Sequence, residues 1–235
     1  MLCFIFVSIV LSSTAHAIIL YSGDNTANLT APDIDRGAVF NSLAKITNAD
    51  GSGIVGSAVH VKDKYLLTAE HVLYNNQTPR RNFITFNGIN YWAIDLNFLP
   101  IQIGTADLVL FKLIENPNLP ETQLYSLNNE NFKTGTLVGW GYGRDTNQAN
   151  ESNPTRTWNW GDGSTITKRW GTNRIENTGI GNFDANTYKY FSPRLNSNQG
   201  SNEAAFAYYD SGSGFFLSDS ETWNLAGITT AVSNS

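Results

Sequence analysis

Three side chains sit where a residue can do chemistry rather than pack. His71 ends the run Leu66-Leu67-Thr68-Ala69-Glu70, a strand-like segment passing into a turn. Asp107 follows Ala106 and opens the apolar stretch Leu108-Val109-Leu110. Ser211 lies in the tight turn Asp210-Ser211-Gly212-Ser213-Gly214. A serine hydroxyl is a weak nucleophile at neutral pH until an imidazole takes its proton. That imidazole needs a carboxylate on its other nitrogen, which fixes the tautomer and stabilises the charge. A strand-initial aspartate followed by apolar residues suits a buried orienter. Ser213 is a rival nucleophile one glycine away, and the Asp-Ser-Gly order favours Ser211. Each residue alone has a plainer reading: a core histidine, a strand start, a turn serine. The ordered set points to catalysis by an activated hydroxyl.

Composition narrows the alternatives. Cys3 is the only cysteine, and it falls in a segment that the reading removes, which leaves no thiol nucleophile, redox pair or Cys-based zinc site. His16 leaves with it, so His60 and His71 remain. A three-histidine metal site cannot be built from two, there is no HExxH, and no metal or cofactor is expected. His60, within Ala58-Val59-His60-Val61, reads as structural. Gly141-Tyr142-Gly143 is too little for a dinucleotide fingerprint. Fifteen Lys+Arg against twenty Asp+Glu give a net charge of −5, and no basic cluster stands out. A nucleic-acid partner is therefore not expected.

The elements that must position the three residues read as β. The chain has 235 residues with 28 Asn, 20 Gly, 13 Phe, 10 Tyr and 6 Trp, a mixture of turn formers and aromatics suited to pleated, half-buried strands. Residues 1–17 are set aside: an apolar run over 2–11 leads to Ala15-His16-Ala17, an A-x-A cleavage site of a secretory signal. The run is shorter than the ~20 residues that span a bilayer, so no stable membrane insertion is expected after cleavage. The mature chain then starts at Ile18, is exported (extracellular or periplasmic) and holds together without disulfides. Strand candidates are 40–46, 54–61, 65–68, 83–86, 91–98 and 108–113, then 136–140, 168–175, 188–192, 204–208, 214–217 and 223–232. The polar stretch 114–133 between the two groups reads as a linker, and 143–165 as a long surface loop. Asn48-Ala49-Asp50-Gly51 reads as a hairpin turn rather than a calcium loop. Trp158, Trp160 and Trp170 read as packing residues rather than a carbohydrate-stacking face. Short strands at this spacing argue for a sandwich or barrel.

At this point the chain resembles the trypsin-like (chymotrypsin-fold) serine proteases. Thr68-Ala69-Glu70-His71 resembles that family's T-A-A-H segment, Ala106-Asp107-Leu108-Val109-Leu110 its D-I-A-L segment, and Tyr209-Asp210-Ser211-Gly212-Ser213-Gly214 its G-D-S-G-G-P loop. Val138-Gly139-Trp140-Gly141 is similar to the G-W-G strand opening the second barrel, and Leu225-Ala226-Gly227-Ile228 to the strand after the nucleophile loop. Lys168-Arg169-Trp170-Gly171-Thr172-Asn173 is similar to secreted bacterial members. The likeness spans about residues 38 to 232, and its strength lies in five weak motifs in the right order.

The resemblance implies an all-β fold of two six-stranded antiparallel barrels. Residues 18–37 would form an N-terminal segment, 38–120 the first barrel and 121–235 the second. It implies that Ser211 attacks a peptide carbonyl, His71 shuttles the proton and Asp107 orients His71. The backbone N–H groups of Tyr209 and Ser211 would form the oxyanion hole, Asp210 an internal ion pair shaping that hole, and Ala205 the base of the specificity pocket. Without an acidic base, cleavage after an apolar or small residue is expected. The partner is then a protein or peptide substrate, met by a monomer.

The chain also departs from the family. Tyr209 stands where the family has glycine, no I-V-G-G stretch follows a basic residue, and only 24 residues follow Ser211. The second barrel is accordingly expected to be cut short at its C-terminal side. Ile18 or the Arg36-Gly37 bond could supply a new amino terminus for Asp210. A second reading is a catalytically inactive homologue that serves as a binding or adhesive module. A third is an all-β glycan-binding domain.

Overall fold

The structure, a computed structural model, describes residues 18–22, 28–75, 78–79, 82–92, 98–144, 160–183, 186–196, 199–219 and 222–232. Residues 1–17, expected to be a secretory signal, and Trp158 lie outside the described residues. In chain order the first elements are β1 (Ile19–Leu20), α1 (Ile34–Ser42), β2 (Leu43–Thr47), β3 (Ile54–Lys62), β4 (Tyr65–Thr68), α2 (Glu70–Leu73), β5 (Tyr74–Asn75), β6 (Thr78–Pro79), β7 (Phe83–Phe86), β8 (Ile89–Trp92), β9 (Ile101–Gln102) and β10 (Val109–Lys112). The second half supplies β11 (Thr134–Gly139), a 3-10 turn (Gly163–Thr165), β12 (Arg169–Phe183), β13 (Asn186–Pro193), β14 (Ala204–Ala205), β15 (Gly214–Asp219) and β16 (Thr222–Ile228).

Two antiparallel sheets follow the division of the chain. The first runs β8-β7-β2-β3-β4-β10-β9 and the second β13-β12-β11-β15-β16. Where six strands per barrel are expected, the sheets hold seven and five. Neighbouring strands are mostly sequence neighbours joined by short turns. Asn48 to Gly51 makes the β2–β3 turn as read, with Asn48 N–H donating to the Gly53 carbonyl and Gly51 N–H to the Asn48 carbonyl.

Side-chain alternation along the strands explains how the sheets stack. Successive residues of a strand point to opposite faces. Ala58, Leu66, Val109 and Phe111 enter the core of the first sheet, with Ile46, Ile84 and Leu73. Their neighbours Val59, Leu67, Leu108 and Leu110 point the other way and meet Val138, Trp170, Phe216 and Leu225 of the second sheet. Strands β3, β4 and β10 are thus apolar on both faces because each face covers a different core. Burying a side chain such as Leu66 or Phe111 contributes roughly 1.5–3 kcal/mol. A third core lies within the second sheet around Leu137, Ile175, Phe215 and Leu217. The stretch between the two sheets bonds to both: Thr122 N–H donates to the Val61 carbonyl, and Tyr125 N–H to the Leu225 carbonyl.

The structure corrects several element readings. Residues 40–42 end a helix instead of opening a strand. Asp33 caps α1 through a carboxylate that accepts from Arg36 N–H at 2.8 Å, a start signal that outweighs the β pattern. The helix rests on the inter-sheet core through Val39 and Phe40. The Arg36 guanidinium lies 5.5 Å from both the Trp170 and Trp223 rings. Within the N-terminal segment, Ile19 pairs with Ala205 and Leu20 with Ala204, which ties these residues to the second half. The expected strand 204–208 stops at Ala205, because Asp210 N–H and the Ala207 carbonyl close a turn.

Candidate active site

β4 runs directly into α2, and this junction delivers His71. Val109 of β10 pairs with Thr68, the last residue of β4. Asp107, two residues before Val109, therefore stands at the same sheet end as His71, three residues after Thr68. The Asp107 carboxylate accepts from His71 Nδ1 at 2.6 Å and from His71 N–H at 3.0 Å. Burial pushes the Asp107 carboxyl up, but the hydrogen bonds from His71 and from the Glu70 backbone outweigh it and hold the group below its ordinary range. An ionised Asp107 requires the proton on Nδ1, which leaves Nε2 with its lone pair. The His71 side chain is half exposed and that of Asp107 only 17% exposed, so the imidazole faces outward on a shielded carboxylate.

The turn carrying Ser211 is wedged between the two sheets. Ser57 N–H of β3 donates to the Ser211 carbonyl at 2.8 Å, and Gly212 N–H donates to the Thr229 carbonyl at 2.7 Å. Gly212 has φ +84°, and a Cβ there would lie 1.9 Å from the Ser57 carbonyl oxygen and 2.3 Å from Thr68 Oγ1. Only glycine fits that approach. Gly56 in turn abuts both the Ser211 carbonyl and Val72, the neighbour of His71. The serine turn and the histidine helix thus share the same two strand ends. Among the described residues the Ser211 hydroxyl and the N–H groups of Tyr209 and Ser211 have no hydrogen-bond partner. Tyr209 has φ +67°, a left-handed backbone that costs a non-glycine residue about 1–2 kcal/mol. The turn has the handedness a glycine would take freely, although the residue is tyrosine.

Asp210 is fully buried beneath this turn. Its carboxylate accepts from Ala207 N–H at 2.7 Å, faces the Ser213 hydroxyl at 3.5 Å and takes a further hydrogen bond from Ile18 N–H. Burial raises the carboxyl to about 7, against those hydrogen bonds and the nearby Arg169 charge. The same burial lowers the Arg169 guanidinium to about 9. Gly139 and Gly141 back onto this carboxyl, and a Cβ on Gly139 would lie 2.1 Å from Asp210 Oδ1. The Gly139-Trp140-Gly141 motif is thereby explained by space for Asp210. Ser213, the rival nucleophile, is fully buried against Asp210 and has no access to solvent.

A cavity of about 280 Å³ opens beside Asp107, lined by Phe206, Phe191, Phe215, Ala226 and Thr229 among others. It lies between the edge strands β13 and β16, with 188–191 on one side and 226–228 on the other. Ala205 does not line this cavity. It is paired with Ile19, and Phe206 faces the cavity instead, because consecutive residues of an extended segment point to opposite sides.

His60 is buried, its ring nitrogens 3.3 Å from the Pro120 carbonyl and 3.0 Å from the Asp63 carbonyl, which is a structural role. Trp170 is buried in the inter-sheet core, and Trp160 stands edge-on to Tyr208. No group of three metal-ligating side chains occurs among the described residues. No described helix is long and apolar enough to cross a membrane. Sequence reasoning missed the anchors Gly56, Ser57 and Thr229. They carry no chemistry-bearing pattern, and only their contacts reveal them.

Two curled antiparallel sheets packed on a shared core, with the candidate site at their common edge, define the fold as that of the trypsin-like serine proteases. Solved structures make the likeness particular. The chain is similar to a Ser-to-Ala mutant of Rv3671c from M. tuberculosis in its inactive form, with TM-score 0.59 and 10% identity over 86% of this chain and 80% of that one. It is also similar to the HtrA-type protease AlgW with a decapeptide, with TM-score 0.54 and 18% identity over 84% of this chain and 58% of that one. The MamO protease domain from Magnetospirillum magneticum gives TM-score 0.52 and 11% identity over 83% and 86%. No family profile and no curated protein sequence matches the chain.

Proposed function

We propose that this chain is an exported serine endopeptidase that hydrolyses peptide bonds through Ser211, His71 and Asp107. The observation that carries the reading is the 2.6 Å His71–Asp107 contact beside a serine turn anchored to the same strands. His71 Nε2 takes the Ser211 proton as Oγ attacks the carbonyl carbon, and Asp107 steadies the imidazolium. The N–H groups of Tyr209 and Ser211 hold the resulting oxyanion, a contribution of about 3–4 kcal/mol per donor in comparable sites. His71 returns the proton to the leaving amine, and an acyl-enzyme remains. Water then attacks the acyl carbon, again with His71 as base, and releases the acid and Ser211. The apolar cavity supports preference for an apolar side chain next to the scissile bond. A peptide substrate accords with the decapeptide bound to AlgW.

Export and activation are one event in this reading. Cleavage after Ala17 turns the Ile18 amide, already bonded to Asp210, into an ammonium facing a buried carboxyl. It also abolishes the φ of +42° that Ile18 holds in the uncut chain. The second reading, a catalytically inactive binding module, draws on the unengaged Ser211 hydroxyl and on the strain at Tyr209. A fluorophosphonate probe on the exported protein separates the two. Labelling lost in both Ser211→Ala and His71→Ala supports the peptidase. No labelling of a folded sample supports the binding module, and labelling that survives Ser211→Ala refutes the assigned nucleophile.

A further inference from the structure

Away from the cavity, four aromatic side chains gather beside the serine turn. Tyr208 and Tyr209 directly precede Asp210 and are 49% and 39% exposed. Trp160 stands edge-on to Tyr208, with ring centroids 4.0 Å apart at 81°. Tyr142 lies 4.8 Å from Tyr209 at 50°. Backbone bonds fix the group: Tyr142 N–H donates to the Tyr208 carbonyl at 2.7 Å, Gly161 N–H donates to the Gly143 carbonyl, and Arg144 pairs with Trp160. None of the four rings lines the cavity beside Asp107.

Two features single this array out. Tyr209 keeps a bulky side chain at φ +67°, where glycine would be free of strain. Strained residues that surrounding contacts hold in place cluster at ligand-binding positions. Its position also limits what it can touch. In the peptidase reading the Tyr209 N–H is one of the two donors to the scissile carbonyl, and the ring is carried by that same residue. One extended residue spans about 3.3–3.6 Å, so the ring meets substrate within two residues of the reacting carbon. Rigid Tyr and Trp side chains offer large contact areas at low entropic cost. Tilted and edge-on rings present faces and edges that pack against another flat ring, and aromatic grooves of this kind hold proline in extended peptides.

We propose that Tyr142, Trp160, Tyr208 and Tyr209 form a substrate subsite for a ring-bearing residue, proline or an aromatic, close to the scissile bond. The subsite rests on the peptidase reading and adds a second selection to that of the apolar cavity. Fluorophosphonate labelling of the wild-type protein tests the peptidase itself. Peptides then keep the residue facing the cavity constant and place Pro, Phe, Trp, Ala, Lys or Asp at each neighbouring position. At one position the ring-bearing residues exceed Ala in kcat/KM by about two- to tenfold, the range for one added aromatic contact. That ratio falls toward one in Trp160→Ala, and in Tyr208→Ser should the first variant fail to fold. A wild-type ratio of one, a preference for Lys or Asp, or a ratio unchanged in the variants overturns the subsite while labelling leaves the peptidase standing. Absence of labelling in folded wild-type protein overturns both.

Discussion

Replacing Gly212 by alanine tests the wedge that holds the Ser211 turn. The added Cβ would sit 1.9 Å from the Ser57 carbonyl oxygen, whereas carbon–oxygen contacts settle near 3.3–3.6 Å. The turn must therefore retreat by more than 1 Å, roughly, or β3 must give way. Three costs add. Alanine at φ +84° costs about 1 kcal/mol relative to glycine. Overpacking adds about 1–3 kcal/mol. Loosening the Thr68 Oγ1–Ser57 hydrogen bond, 2.6 Å long and buried, adds about 1 kcal/mol. The total of about 3–5 kcal/mol lowers Tm by roughly 6–20 °C in a chain of this size. A 1 Å displacement of the reacting group slows fluorophosphonate labelling by about 100-fold. Gly51→Ala is the matched control: it has φ +72° and nothing within 4 Å of its Cβ, so it carries the backbone cost alone. Thermal melts and labelling rates of both variants decide the matter. Equal Tm losses, or wild-type labelling of the Gly212 variant, would refute the claim that close approach to β3 positions Ser211.

Other outcomes follow from the same geometry. Asp210 has a carboxyl raised from 3.8 to about 7, so it stabilises the uncut chain while protonated and loses that contribution as pH rises from 4 through 7. The loss is on the order of 4 kcal/mol; urea midpoints should fall over that window in the uncut chain and much less in one beginning at Ile18, where an ammonium faces the carboxylate. His60→Phe removes the one ring N–H that the neutral imidazole donates to a part-buried carbonyl, Pro120 or Asp63, and should cost about 1 kcal/mol in urea unfolding with labelling by the probe unchanged. Tyr209→Gly removes about 1–2 kcal/mol of left-handed strain and should retain probe labelling; complete loss of labelling would show that the tyrosine ring, not the turn, holds the N–H groups in place. Gly139→Ala, whose Cβ would strike Asp210 Oδ1, should lower Tm more than Gly163→Ala, which meets nothing within 4 Å.

Much of this protein is legible in one dimension. Strands 65–68 and 83–86 were readable to the residue, because short runs of apolar, aromatic and β-branched residues stand between turn formers. The residue types of the candidate site were readable too, since an imidazole, a strand-initial carboxylate and a serine in a glycine turn each have a local signature. The helix at 34–42 was hidden because its cap, Asp33, precedes residues that also fit a strand. Which serine is accessible was decided in three dimensions: Ser211 and Ser213 share one turn, and the burial of Asp210 draws Ser213 inward. Phe206 rather than Ala205 lines the cavity beside Asp107, because pairing with Ile19 sets which face of the segment meets it. Sequence alone determined the chemistry on offer and the period of the strands, which are properties of single residues and near neighbours. Only the tertiary structure decided which glycine must stay bare, which carboxyl is buried and which rings stand beside the Ser211 turn, because those depend on atoms far apart in the chain meeting within a few ångströms.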